Sequence, residues 1–120
     1  MARMLFHCTH GRDDPERAIV PFIAANVAAA SGQDSLVVLT VEGAGLCKRG
    51  YAETVAADGF PSLAELLASF VEAGGQLWGC SACTTPRGIT EAELIDGAQI
   101  VGAAVIVAAV ADGAVPVALG

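Results

Sequence analysis

Residues 35–41, SLVVLTV, form a continuous apolar run that is rich in β-branched side chains. Such a run is typical of a strand buried on both faces of a parallel sheet. The segments on either side, residues 15–31 and 62–73, repeat their apolar side chains at helical spacing. Shorter apolar segments also predict strands, at residues 3–8, 76–80, 99–102 and 114–119. Because strands alternate with helices, the sequence predicts an α/β fold with a mainly parallel sheet of about five strands and helices on both faces.

Local signals indicate where the predicted elements begin and end. Asp13 or Asp14 is expected to cap the first helix, and Pro21 is expected to bend it, because proline lacks an amide donor. Two capping boxes predict helix starts, Ser62 with Glu65 and Thr90 with Glu93. The second of these helices is expected to be short and to end near residue 97, before an Ala-rich helix at residues 103–111. Pro116 predicts an edge position for the last strand.

The composition is that of a folded chain that is poor in charge. The chain has 120 residues, of which 54% are apolar and 16% are charged. This length fits one domain over residues 1–120, and the apolar content excludes a disordered chain. The apolar excess comes mostly from alanine and valine, and it exceeds what a small domain is expected to bury alone. We therefore expect homo-oligomers.

The charge balance and the lengths of the apolar segments exclude several function classes. Thirteen acidic and six basic residues give a formal net charge of −7, which argues against nucleic acid or an anionic membrane as a partner. The longest apolar stretch, residues 98–111, is shorter than a membrane span. The first apolar run is too short for a signal peptide. These features predict a soluble cytoplasmic protein whose four cysteines are thiols or metal ligands rather than disulfides.

Reactive side chains follow three of the predicted strands. In sheets of this kind, ligands bind outside the carboxyl ends of the strands. The residues found there are Cys8, Thr9 and His10 after the first strand, Glu42 and Cys47 after the second, and Cys80 and Cys83 after the third. The sequence therefore predicts that all four thiols gather at one edge of the sheet.

Four interpretations compete for the pair Cys80 and Cys83. The two thiols could be inert core residues. They could form half of a metal site that Cys8, Cys47, His7 or His10 completes, because zinc takes four nitrogen or sulfur ligands. They could form a dithiol redox couple, with Arg87 adding positive charge beside the sulfur. One of them could instead be a nucleophilic thiol that carries sulfur as a persulfide.

The remaining candidates have simpler interpretations beside the functional ones. His10 is expected to be a solvated loop residue or a proton donor near the thiols, and His7 a core or interface residue. Cys8 is expected to be buried in its strand, and Trp78 to pack in the core. Cys47 lies in a Gly-rich segment and is expected to be exposed, where it would serve as a second thiol.

Two long segments resemble the DsrE/DsrF-like family. They are THGRDDPERAIVPFIAANVAAASGQDSLVVLTVEGAGL and GCSACTTPRGITEAELIDGAQIVGAA, and the resemblance extends over residues 3–119. Its specific parts are the opening GRDDPERA, the pair Glu42–Gly43 after a strand, and a cysteine seven residues before Arg87–Gly88. Pro21 also recurs in it. The resemblance implies a three-layer α/β/α sandwich and a homotrimer or homohexamer.

The resemblance also implies a function. Its best-understood members carry a persulfide on one cysteine after a central strand, and the spacing to Arg87 matches Cys80 to that position. Cys83 is an added thiol that could resolve the persulfide or form a redox switch with Cys80. The pocket around them is expected to include Cys8, His10, Glu42, Cys47 and Arg87.

The expected partners are further copies of the chain and sulfur donor and acceptor proteins, with no cofactor. Whether the protein is an enzyme stays open between sulfurtransferase-like and thiol redox activity. The alternatives are a non-catalytic, homo-oligomeric module that binds a metal through Cys and His or binds a small ligand, and a Cys80–Cys83 thiol oxidoreductase.

Overall fold

The computed structural model describes residues 2–119. Its strands are β1 (Met4–Cys8), β2 (Ser35–Leu39), β3 (Gln76–Cys80), β4 (Ala98–Val101) and β5 (Val115–Val117). Its α-helices are α1 (Pro15–Ala30), α2 (Leu63–Glu72), α3 (Ser81–Thr84) and α4 (Ala103–Ala111). Segments of 3₁₀ helix occupy Val41–Cys47, Ala52–Thr54, Thr85–Arg87 and Glu91–Glu93.

The five strands form one sheet in the order β4-β3-β2-β1-β5, and every neighbouring pair is parallel. The predicted α/β class with a parallel sheet of about five strands is confirmed. The carboxyl ends of all strands therefore lie at the same edge of the sheet. Strand β5 is at one side of the sheet, which confirms the edge position predicted from Pro116.

Helices cover the two faces of the sheet unequally. On one face α1 and α2 pack over a main core, in which the rings of Phe22 and Phe70 meet edge to face with centroids 6.2 Å apart. On the other face a smaller second core forms around Leu36 and Trp78, and only α4 packs against it. No residue of α4 is buried. We call this second side of the sheet the α4 face.

Helix starts follow the predicted signals in two cases. The Asp14 carboxylate caps α1 by accepting a hydrogen bond from the Arg17 amide, and the Ser62 hydroxyl caps α2 by accepting from the Glu65 amide. Helix α1 continues through Pro21 as far as Ala30, so the proline does not end it. The bend at Pro21 stays a prediction.

Two local predictions were wrong. The helix expected from Thr90 to residue 97 is only a 3₁₀ turn, although its capping box is present. The chain leaves the helical path because the Ile95 amide donates instead to the Cys47 carbonyl, at 2.8 Å. The strand expected over residues 35–41 ends at Leu39, because Val41 takes a left-handed backbone conformation (φ 53°) and begins a 3₁₀ segment.

Among residues 2–119, no helix combines the length and hydropathy needed to cross a bilayer.

Candidate functional site

The pair Cys80 and Cys83 lies on one turn at the carboxyl end of β3. Cys80 is the last residue of β3 and the N-cap of α3, and Cys83 is the third residue of α3. We call residues 80–83 the thiol turn. Cys80 is 7% exposed, whereas Cys83 is half-buried. The sequence did not predict α3, so it did not predict that a helix begins directly after Cys80.

The sulfur of Cys83 accepts a backbone hydrogen bond. The Val41 amide donates to Cys83 Sγ over 3.1 Å. Val41 is the only residue other than glycine with a positive φ among the described residues. This conformation is strained for a β-branched side chain. An amide that donates to sulfur stabilises negative charge on it. The strained residue Val41 is therefore also the one whose amide would stabilise a thiolate at Cys83.

Arg87 and Glu42 connect the thiol turn to the rest of the sheet edge. Arg87 Nη1 donates to the Cys83 carbonyl at 3.1 Å, and its Nε lies 3.5 Å from Glu42 Oε1. The Tyr51 hydroxyl donates to Glu42 Oε2 at 2.6 Å. Burial raises the pKa of Tyr51, so its phenol stays protonated at neutral pH. Two residues expected in the pocket, Glu42 and Arg87, therefore lie near Cys83, and Glu42 is held by a tyrosine that the sequence did not reveal.

The sheet separates the other two thiols from Cys80. Side chains alternate along a strand, and in β3 Leu77 packs in the main core whereas Trp78 packs in the second core. Cys80, two residues after Trp78, therefore lies on the α4 face. Cys8 and Cys47 lie on the opposite face, within the main core. The four thiols do not form the single cluster that the sequence predicted.

Cys8 and Cys47 are buried thiols. Burial raises the pKa of Cys8 to about 11 and that of Cys47 to about 12. Cys8 Sγ donates to the His10 carbonyl at 3.3 Å, and its predicted burial is confirmed. The predicted exposure of Cys47 was wrong, because its sulfur packs where Gly79 has no side chain. Both cysteines remain neutral at physiological pH and are poor nucleophiles.

The side chains of the two histidines bond to neighbours other than the thiols. His10 Nδ1 lies 2.8 Å from Asp13 Oδ2. The Gly11 amide donates to Asp13 and, as the largest cause, lowers the pKa of that carboxyl. His10 thus orders the loop after β1. His7 is exposed and bonds Thr40 Oγ1 at 2.8 Å, so it does not lie in the core, and its alternative place at an interface stays a prediction.

The donor set that a metal would require is not assembled in one place. Within residues 2–119 there is no group of three or more His, Cys, Asp or Glu side chains arranged to hold a metal ion. The face separation explains this, because Cys8 and Cys47 point away from Cys80.

Several residues at this edge were not predicted from the sequence. They are Arg12, Val41, Lys48, Arg49 and Tyr51. Lys48 and Arg49 could have been noticed in the sequence, because the segment CKRGY places two basic residues side by side in a chain that has only six. No sequence pattern indicates the left-handed Val41.

Curated relatives of this chain include two archaeal proteins. Uncharacterized protein MJ0760 of Methanocaldococcus jannaschii is 30% identical over 95 residues, which are 79% of this chain and 34% of that protein. Uncharacterized protein MK0008 of Methanopyrus kandleri is 29% identical over 85 residues, which are 71% of this chain and 67% of that protein. The chain thus spans about a third of the first relative's length.

Two solved structures share the fold. The ychN protein from E. coli superposes with a TM-score of 0.81 at 16% identity, over 99% of this chain and 100% of that one. MTH1491, a protein of unknown function from Methanobacterium thermoautotrophicum, gives 0.75 at 18% identity, with the same coverages. The model of the DsrE/DsrF-like family matches residues 2–115. With nearly the whole chain matched, the protein belongs to the DsrE/DsrF-like family.

Proposed function

We propose that this protein carries sulfane sulfur as a persulfide on Cys80, with Cys83 as the second thiol. The observation that carries the proposal is the thiol turn itself. The turn follows a strand inside the sheet and holds two free cysteines, and the Val41 amide donates a hydrogen bond to Cys83 Sγ. Membership of a family whose best-understood members relay sulfur supports it. The chemistry needs reduced thiols, so we propose a cytoplasmic location.

Loading is a transfer of one sulfur atom between thiols. The Cys80 thiolate attacks the outer sulfur of a donor persulfide, R–S–SH. A new S–S bond forms at Cys80 Sγ, and the donor S–S bond breaks with its electron pair leaving on the donor thiolate, R–S⁻. The product on this chain is Cys80–S–SH, and no oxidant is consumed.

The persulfide can be unloaded by two routes, and neither consumes an oxidant or a reductant. An acceptor thiolate that attacks the outer sulfur removes it as the acceptor persulfide and returns Cys80 to the thiolate. Alternatively, the Cys83 thiolate attacks Cys80 Sγ, which forms a Cys80–Cys83 disulfide and releases HS⁻. The Val41 amide, 3.1 Å from Cys83 Sγ, stabilises the anion that makes this attack.

Persulfide loading is expected to depend on Cys80. After incubation with a low-molecular-weight persulfide donor, the wild-type protein and Cys83→Ser should gain one sulfur atom on Cys80, whereas Cys80→Ser should gain none. Intact-protein and peptide mass spectrometry measure both results. Cys47→Ala is the matched control and should load normally, because Cys47 lies on the other face of the sheet.

The other outcomes of this experiment have distinct meanings. Loss of two hydrogens from wild type, with no sulfur gained by Cys83→Ser, would overturn the proposal in favour of a Cys80–Cys83 oxidoreductase. Sulfur found on Cys83 in the Cys80→Ser variant would show that the carrier is Cys83 and not Cys80. Metal retained through purification, with Cys80 unreactive, would favour the metal-binding module.

The α4 face supports a proposal about assembly. Helix α4 has nine residues and no charged side chain, and Val105, Val107 and Val110 are exposed on it. Val107 is the most exposed of the three, with 67% of its surface accessible. Contiguous apolar surface of this kind marks an interface. Since the net charge of −7 opposes random association, we propose that further copies of this chain cover the face, in a homotrimer or homohexamer.

A charge on α4 is expected to disrupt this assembly. Val107→Glu should reduce the mass measured by light scattering to that of one 12.0 kDa chain, because a buried carboxylate is costly. Val27→Glu is the matched control, since Val27 is similarly exposed (65%) but lies on α1, across the sheet. A monomeric wild-type protein, or equal effects of the two variants, would contradict the proposal.

A further inference from the structure

Most of the basic residues of this acidic chain lie around one pocket. A cavity of about 370 Å³ lies at the sheet edge, lined by Arg87, Glu42 and the residues that follow Cys47. Four of the six Lys and Arg residues of the chain line it: Arg12, Lys48, Arg49 and Arg87. Glu42 is the only carboxylate in the lining. We call this cavity the cationic pocket.

Two of these four cations have no carboxylate partner among residues 2–119. Glu42 lies 3.5 Å from Arg87 Nε, and Glu93 lies 3.3 Å from Lys48 Nζ. Arg12 instead donates from Nε to the Thr54 hydroxyl, at 2.7 Å. Arg49 donates to two backbone carbonyls, those of Ala92 and Leu94, at 2.9 and 3.1 Å. The pocket thus holds two positive charges that only neutral oxygens contact.

The pocket is held in shape before any ligand arrives. The guanidinium of Arg12 stacks 4.3 Å from the ring centroid of Tyr51. The Tyr51 hydroxyl accepts from the Arg12 amide at 2.9 Å and donates to Glu42. A side chain at Gly11 or Gly45 would overlap the Tyr51 ring, so both glycines make room for it. Guanidinium groups fixed in this way lose little entropy when they bind an anion.

We propose that the cationic pocket binds a small tetrahedral dianion through Arg12 and Arg49, either a free ion or the terminal phosphate of a small molecule. Two unpaired guanidinium groups match the two charges of such an anion, and their planar donor sets suit its oxygens. The volume lies in the lower part of the range for small-molecule pockets, which leaves space for a short organic group beside the anion. Arg87 links the pocket to the Cys83 carbonyl.

Titration calorimetry at low ionic strength tests this proposal with inorganic phosphate, inorganic sulfate and glycerol 3-phosphate. Each is expected to saturate one site per chain and to bind more weakly as salt is added. Equal affinity for inorganic phosphate and the ester would identify the free ion as the ligand. Tighter binding of the ester would identify a terminal phosphate. Either result supports the site.

Variants separate the site from general electrostatics. Arg12→Gln is expected to weaken binding about tenfold or more, and Arg49→Gln similarly. Arg17→Gln is the matched control, because Arg17 is an exposed arginine paired with Asp14, outside the pocket. Glu42→Gln should tighten binding, which no folding defect would mimic. Saturation absent at about 10 mM, or equal losses for Arg12→Gln and Arg17→Gln, would overturn the proposal. Cys80→Ser should bind normally, so this result is independent of sulfur transfer.

Discussion

Replacing Gly79 by alanine is expected to lower the free energy of unfolding by about 3 kcal/mol. A Cβ at this position of β3 would overlap Cys47 Sγ and would lie 3.2 Å from the Thr84 methyl group. Neither neighbour has space to move, because both are almost fully buried. Urea denaturation measures the change. Gly102→Ala is the control, since its nearest neighbour would be 4.0 Å away. Because Gly102 is the N-cap of α4, this change should cost up to about 1 kcal/mol, clearly less than Gly79→Ala.

A double-mutant cycle tests whether the sulfur is the cause. Adding Cys47→Ala to Gly79→Ala removes the overlapping atom, so the pair should be more stable than the sum of the single changes predicts, by about 1 kcal/mol or more. The Thr84 contact remains, and recovery should therefore be partial. If the two changes simply add, the contact between Gly79 and Cys47 is not what makes the glycine necessary.

Stability is expected to fall steeply as the pH rises above 9. The ordinary thiol pKa of 9.0 is raised to about 11 at Cys8 and to about 12 at Cys47, and desolvation by burial is the main cause. Between these values the unfolded chain has lost the two protons and the folded chain still holds them. The unfolded state thus binds fewer protons, so the free energy of unfolding decreases with pH. The stabilising effect is full below pH 9 and is lost as the pH passes about 11 to 12.

The slope that one thiol contributes is up to about 1.4 kcal/mol per pH unit. Urea denaturation at a series of pH values from 8 upward measures it as a function of pH. Cys47→Ala should remove the contribution of one thiol to the slope of the unfolding free energy against pH. Tyr51→Phe should reduce that slope as well, because burial also raises the pKa of the Tyr51 phenol. An unchanged slope in Cys47→Ala would mean that this thiol is not protected in the folded protein.

The sequence was most informative where structure depends on local pattern. The apolar run at residues 35–41 predicted a strand, which the structure contains as far as Leu39. The caps at Asp14 and Ser62 predicted two helix starts, and Pro116 predicted an edge strand, and the structure contains all three. These signals depend on spacing and capping within one segment. They sufficed for the α/β class, and the positions of the strands agreed to within a few residues.

Elements that depend on distant contacts were not predictable in the same way. The segment after Thr90 has a capping box but leaves the helical path for a hydrogen bond to the carbonyl of Cys47, which lies far earlier in the sequence. The burial of Cys47 depends on a missing side chain at Gly79, on another strand.

Only part of the candidate site could be predicted. Strand ends predicted that Glu42 and Cys83 lie at one edge, and the charge argument and the resemblance added Arg87. The structure brings the three together. The same argument also included Cys8 and Cys47, because it located strand ends without deciding which face each side chain points to. One-residue differences in where a strand ends decide that face.

Pro116 has a consequence for how copies of this chain can meet. Strand β5 has three residues and forms one side of the sheet, and its central residue has no amide hydrogen to offer a neighbouring strand. A ladder cannot continue regularly across such a strand. Growth of the sheet from chain to chain is therefore blocked on this side, and the short proline-containing strand protects the protein there against open-ended, fibre-like polymerisation.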